Sequence, residues 1–219
     1  MTLDAMAVPA STSWLRPLRW SAPDPIAVRP PEEGFALPVG TVTFLLTDVE
    51  NSTLGWQAAP DLMGPAIARH YEILEQAVAA NGGVRPQEQG EGDSIVGAFG
   101  RASDALKAAV EAQQRLAEET WDAGLRAPIR VRMAIHTGEA QMRNEANYVG
   151  QAIIRTARLR AIAHGEQILV SQATRDLAVD QLGDAIELID LGTHRLKDLA
   201  RPEHVWQVVA RHFTATSRR

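Results

Sequence analysis

Two acidic residues, Asp48 and Asp93, each lie at a point where an apolar run meets a turn. The first run is Thr41-Val42-Thr43-Phe44-Leu45-Leu46-Thr47-Asp48, a β-rich stretch that brings a carboxylate to the end of a strand. The second acid is central to Gln89-Gly90-Glu91-Gly92-Asp93-Ser94-Ile95-Val96, a glycine-loosened turn leading into another apolar stretch. Two carboxylates delivered by separate elements are what Mg²⁺ uses when it also binds the phosphates of a nucleotide. Nucleotide chemistry is therefore the leading expectation.

The elements that must position these acids follow from composition and pattern. The chain has 219 residues, with 45% aliphatic, aromatic and alanine content, enough for one domain with a core. A net charge of −5 gives no basic face for a general nucleic-acid binder. The absence of cysteine excludes disulfides, thiolate nucleophiles and Cys-based zinc sites. No run of about 18 apolar residues is present, so no membrane span is expected. No basic stretch followed by an apolar one opens the chain, and a cytoplasmic location is the expectation.

Seven of the 12 prolines fall within the first 38 residues, with isolated Trp14 and Trp20 and no helical or strand period. Residues 1–38 read as a Pro-rich disordered arm; the rival reading docks Trp14, Leu15, Leu18 and Trp20 on a surface. Residues 39–212 form the domain and 213–219 a tail. From Gly40 onward strand-like and helix-like segments alternate. Residues 41–48 predict a strand, and a helix starts near Pro65 with the stripe Ile67, Tyr71, Leu74 and Val78. Asn81-Gly82-Gly83 ends that helix. Val84–Gln87 and Ser94–Phe99 predict short strands around the glycine turn, and Ala102–Thr120 an alanine-faced helix. The run Ile129–Gly138 alternates as a strand. A helix over 149–163, a strand over 167–170, a short helix opened by Ser171 and strands near 185–190 and 204–210 complete the pattern. Helices alternating with strands around one sheet predict an α/β or α+β sandwich.

The phrase Thr43-Phe44-Leu45-Leu46-Thr47-Asp48-Val49-Glu50-Asn51-Ser52-Thr53 resembles the first metal-binding segment of class III adenylate/guanylate cyclase catalytic domains, nearest to those of bacterial, actinobacterial type. Gly92-Asp93, Ile135-His136-Thr137-Gly138-Glu139, Tyr148-Val149-Gly150 followed by Arg158, and Leu196-Lys197-Asp198-Leu199 continue the resemblance over roughly residues 40–210. It implies an α+β, ferredoxin-like sandwich with a mixed, mainly antiparallel sheet flanked by helices. It also implies conversion of ATP, with GTP as the alternative, to the 3′,5′-cyclic monophosphate and pyrophosphate. The family uses Mg²⁺ or Mn²⁺, two per site, and shares its sites across a homodimer.

By this resemblance Asp48 and Asp93 are the metal ligands, Arg158 the transition-state arginine, and Lys197 a contact to the triphosphate. Backbone amides after Asp48, through Thr53, would cradle phosphate oxygens. The base-selecting positions, commonly lysine and aspartate in adenylate cyclases, hold Gln89 and Asn147; both carboxamides donate and accept, so discrimination between adenine and guanine weakens. Ile154 stands where the family places a ribose-orienting asparagine, which implies slow turnover or a cyclase-like binding module with little activity. Arg155 and Arg160 share the helix of Arg158 and read as a solvated face, Glu50 as a solvated loop acid. His136 reads as a structural residue satisfied by backbone rather than as a general base. No P-loop lysine, Gly-x-Ser-x-Gly or Gly-Gly-Asp/Glu-Glu-Phe motif is present.

Overall fold

The computed structural model describes residues 36–86, 92–144 and 146–210. Most of the 1–38 arm, the whole 213–219 tail and Gln89 lie outside these residues. The first strand, β1 (Thr41–Val49), is nearly all buried, as a central strand rich in β-branched and aromatic residues should be. Two helices follow, α1 (Ser52–Ala58) and α2 (Pro60–Ala80), then β2 (Val96–Phe99) and α3 (Ala102–Glu118). The long strand β3 (Val131–Glu139) leads to a small hairpin, β4 (Gln141–Asn144) and β5 (Asn147–Val149), and then to α4 (Gln151–Arg160). The chain ends with β6 (Ile168–Ser171), α5 (Gln172–Ala178), β7 (Ile186–His194) and β8 (Glu203–Ala210).

The main sheet has six strands in the order β2-β1-β3-β6-β8-β7. Only the β3–β6 pairing is parallel, so the sheet is mixed and mainly antiparallel, as expected. Side chains of a strand alternate between faces. Leu45 and Val49 of β1 therefore join the larger core with α2, α3 and α5. Val42, Phe44 and Leu46 point the other way and pack with Ala152 of α4. Ala105, Ala108, Ala109 and Ala112 are at most 1% exposed, because small side chains let α3 lie close to the sheet.

Three expectations change. Helix α2 begins at Pro60, with Pro65 inside it. Pro60 takes the first helical position, where a missing N–H costs nothing. Pro65 lies on the exposed side, so the carbonyl it leaves unpaired, at exposed Asp61, can turn to water. The stripe of α2 runs through Ile67, Ile73, Leu74, Ala77 and Val78, with Tyr71 at its margin. Of the expected Val84–Gln87 strand, the described residues 84–86 make one bridge, between Val84 and Ala98, and Gln87 lies outside the described residues. By contrast Ser171 caps α5 as expected, its side chain accepting from Thr174 N.

Gly83 sits against the closed core at the end of α2. A Cβ there would overlap the Phe99 ring and lie 2.8 Å from Val78. We predict that Gly83→Ala costs about 1–3 kcal/mol through overpacking and lowers the thermal midpoint by about 2–4 °C per kcal/mol. An unchanged melting curve would contradict this account of the junction.

Candidate active site

Asp48 continues the side of β1 that carries Phe44 and Leu46, and so faces α4 rather than α2 and α3. The antiparallel register sets Arg132 of β3 directly opposite it. Arg132 Nε donates to Asp48 Oδ2 at 2.6 Å, and a second guanidinium nitrogen pairs with the same oxygen. Asp93 arrives from the turn before β2. Its Oδ2 accepts from the Val49 N–H at 3.2 Å, so the two acids converge at one place. Thr47 and Ser94, their neighbours in sequence, bind the elements together: Ser94 Oγ donates to the Thr47 carbonyl at 2.8 Å and Ile95 N–H to Thr47 Oγ1 at 3.2 Å.

These acids line a cavity of about 1010 Å³ with Glu50, Asn51, Ser52, Thr53, Arg132 and Arg160. Burial pushes the Asp93 carboxyl above the ordinary range; a hydrogen bond from Ser52 opposes this and the charge of Asp48 adds to it. Two carboxylates this near each other favour a divalent cation, and their hard oxygens suit Mg²⁺ or Mn²⁺. Among the described residues no group of three or more His, Asp or Glu side chains could hold a metal. Backbone carbonyls, water or the oxygens of a bound phosphate would complete any coordination shell.

Arg160 was expected on a solvated helix face, and the structure corrects this. Its Nη1 donates to the Thr47 carbonyl at 3.0 Å and to Ser94 Oγ at 2.5 Å, and it lines the cavity. Burial lowers its pKa while Asp48 and Asp93 oppose that shift. Arg155 is not free in solvent either: it pairs with buried Glu203 at 2.7 Å. Glu50, read as a solvated acid, accepts from Gly165 N–H at 2.8 Å and lies 3.8 Å from Arg130. Part of the expected phosphate cradle is also committed, since Val49 N–H goes to Asp93 and Glu50 N–H to the Arg130 carbonyl.

Thr53 lines the cavity; Arg158, Lys197 and Asn147 do not. Arg158 donates to Asp198 at 3.0 Å, which puts it beside exposed Lys197 in the turn after β7. Asn147 is buried in β5 and has an interaction partner. Ile154 is 42% exposed on α4. The sequence therefore divides between two places: Asp48, Asp93 and Thr53 at one, Arg158 and Lys197 at another. Arg132 was missed because its signal is a strand register, which no local spacing reveals.

No protein-family model matches the chain. An uncharacterised protein of Mycobacterium tuberculosis (strain ATCC 25618 / H37Rv) is 48% identical over 171 residues, covering 78% of this chain and 56% of the relative. The chain thus spans about half the length of that curated relative. Among solved structures, an adenylate cyclase from Trypanosoma brucei in its monomeric state superposes with a TM-score of 0.68 at 24% identity, covering 77% of this chain and 89% of that one. An adenylate/guanylate cyclase/hydrolase from Silicibacter pomeroyi gives a TM-score of 0.65 at 27% identity, covering 77% and 96%. In fold and motif order, residues 36–210 are similar to class III adenylate/guanylate cyclase catalytic domains.

His136 is buried and its Nδ1 lies 2.8 Å from Ser171 Oγ. Its ring is thus satisfied by a side-chain hydroxyl, where backbone had been expected. Burial, with Arg155 nearby, holds its pKa down to about 4. His70, wholly buried in α2 with neither ring nitrogen making a well-formed hydrogen bond, is held down to about 4 mainly by burial. Both rings are neutral in the fold and bind protons more readily once unfolded. Their contribution is intact above about pH 6.5 and is lost as pH falls toward 4, by on the order of a few kcal/mol per histidine. We predict a falling thermal midpoint across that window. His136→Gln should flatten the slope without removing it, because His70 remains; an unaltered slope contradicts the assignment.

Proposed function

We propose that this chain is a purine nucleotide cyclase that makes a 3′,5′-cyclic monophosphate and pyrophosphate, with ATP as the leading substrate and GTP as the alternative. The observation that carries the reading is the convergence of Asp48 and Asp93 on one cavity beside two guanidinium groups. Asp48 and Asp93 would hold Mg²⁺ or Mn²⁺. When bound, the metal supplies Lewis-acid stabilisation of phosphate charge and a lower pKa for the ribose 3′-hydroxyl.

In the reaction the 3′-oxygen bonds to the α-phosphorus and the bond from that phosphorus to the pyrophosphate oxygen breaks. The hydroxyl proton leaves to solvent. Arg132, which lines the cavity with its Nε and one further nitrogen on Asp48, is the candidate for a triphosphate contact through its remaining N–H donors. Arg158 is the candidate for stabilising charge that builds on the phosphate oxygens, and Lys197 the candidate for a further triphosphate contact. Gln89, which lies outside the described residues, and Asn147 are the candidates for reading the base.

Arg158 and Lys197 lie outside the cavity of their own subunit, which supports a homodimer in which each site draws on both chains. On that reading two sites are equivalent. Subunits carrying Asp48→Ala and subunits carrying Arg158→Ala should each be inactive, and activity should return when they are mixed. Failure to recover activity in a mixture shown to contain heterodimers contradicts the shared site.

The second reading is a cyclase-like nucleotide-binding module with little turnover, favoured by exposed, apolar Ile154. Cyclic product measured in Mn²⁺, with Asp93→Ala as the blank, separates the two. We predict that Ile154→Asn raises turnover by up to about 10²-fold, since a lost positioning contact can cost that much. No gain would mean that Ile154 does not limit the rate. Among the described residues no helix is long and apolar enough to cross a membrane, which is compatible with action in the cytoplasm.

A further inference from the structure

We propose that Arg160 is a positioning residue that fixes the spacing of Asp48 and Asp93 from within the same subunit. The proposal rests on the reading that these acids hold the divalent cation. The two acceptors of Arg160 are not arbitrary. One is the carbonyl immediately before Asp48, and the other is the hydroxyl immediately after Asp93. One guanidinium nitrogen therefore joins β1 to the turn that bears the second acid, one residue from each carboxylate. Ser94 closes the triangle by donating to the same Thr47 carbonyl.

The charge of the group matters as well as its bonds. Arg160 is half-buried, and its Nε is buried without a partner. Desolvation disfavours its cationic form, and the nearby charges of Asp48 and Asp93 oppose that cost. Helical geometry accounts for its direction. Residues two apart on a helix point about 200° away from each other, so Arg160 turns into the cavity while Arg158 turns outward to Asp198.

Two roles give opposite signs in a metal titration. A cation that merely repels the bound metal would, on removal, let Mn²⁺ bind several-fold more tightly. A residue that orients the ligands would, on removal, weaken binding on the order of tenfold. The experiment is Mn²⁺ binding to the full chain without nucleotide, read from the spectrum of free Mn²⁺, for wild type, Arg160→Met, Arg160→Lys, Ser94→Ala and Asp93→Ala. Circular dichroism and thermal midpoints show which variants remain folded.

The expected pattern is weaker binding in Arg160→Met and Ser94→Ala, partial recovery in Arg160→Lys, and loss in Asp93→Ala. Ser94→Ala removes one acceptor while keeping the arginine, so it decides the matter if Arg160→Met fails to fold. Unchanged or tighter binding in the folded Arg160→Met, or unchanged binding in Ser94→Ala should Arg160→Met not fold, overturns the positioning role while the loss in Asp93→Ala leaves the metal site standing. Binding that Asp93→Ala does not disturb overturns the metal site itself, and the role of Arg160 with it.

Discussion

Two carboxylates side by side in a half-buried cavity are unfavourable unless positive charge meets them. The rest of the site depends on how that constraint is satisfied. The β1–β3 register supplies Arg132 directly across from Asp48, and α4 supplies Arg160 to the Thr47 carbonyl and the Ser94 hydroxyl, one residue from each acid. Neither contact occupies every carboxylate oxygen. Arg132 engages one oxygen of Asp48, and Asp93 is still raised by burial and by its neighbour. The polypeptide thus holds the acids together beside two guanidinium groups, and burial is the main reason the Asp93 carboxyl still lies above the ordinary range.

Such an arrangement requires rigid support on both faces of β1. On one face, Leu45 and Val49 lock the strand into the core with α2, α3 and α5. On the other, Phe44 and Leu46 pack with Ala152 near the start of α4, and Phe44 meets Tyr148 edge-on at 4.9 Å. Alternation along a single strand therefore fixes both the core and the direction in which Asp48 points. Moving the register by one residue would turn the acid into the apolar side.

Much of this was legible in the sequence because it is encoded locally. The strand of β1, the Asn81-Gly82-Gly83 stop, the small-residue face of α3 and the Ser171 cap all depend on residues close in sequence. The convergence of Asp48 and Asp93 was anticipated from the order of motifs. What escaped was set by long-range pairing. Arg132 meets Asp48 across 84 positions and Arg160 meets Ser94 across 66; on sequence alone Arg160 reads as part of a solvated helix face and Arg132 as one residue of an alternating strand. Helix α1 and the β4–β5 hairpin are too short to leave a clear period, while Pro65 wrongly suggested a boundary. Glu50 looked solvated for the same reason as Arg160, since its partner Gly165 lies 115 residues away.

Two of the three arginines of α4, Arg158 and Arg160, also bear on the proposal that each site draws on two chains. Arg160 is engaged by the Thr47 carbonyl and the Ser94 hydroxyl of its own subunit, which suits it to a fixed rather than a mobile charge. Arg158 does not line that cavity and, among the described residues, pairs with an exposed carboxylate, Asp198, whose side chain is 60% accessible. An ion pair so open to water is worth little and is readily exchanged for a stronger anion. A triphosphate offered by a second subunit would be such an anion. One short helix would then carry a fixed arginine facing inward and an exchangeable one facing outward. Because both ride on the same ten residues, a shift of α4 that opened one half-site would disturb the other. On the shared-site proposal, the angle of about 200° between Arg158 and Arg160 on the helix would set which of them serves its own subunit and which the partner.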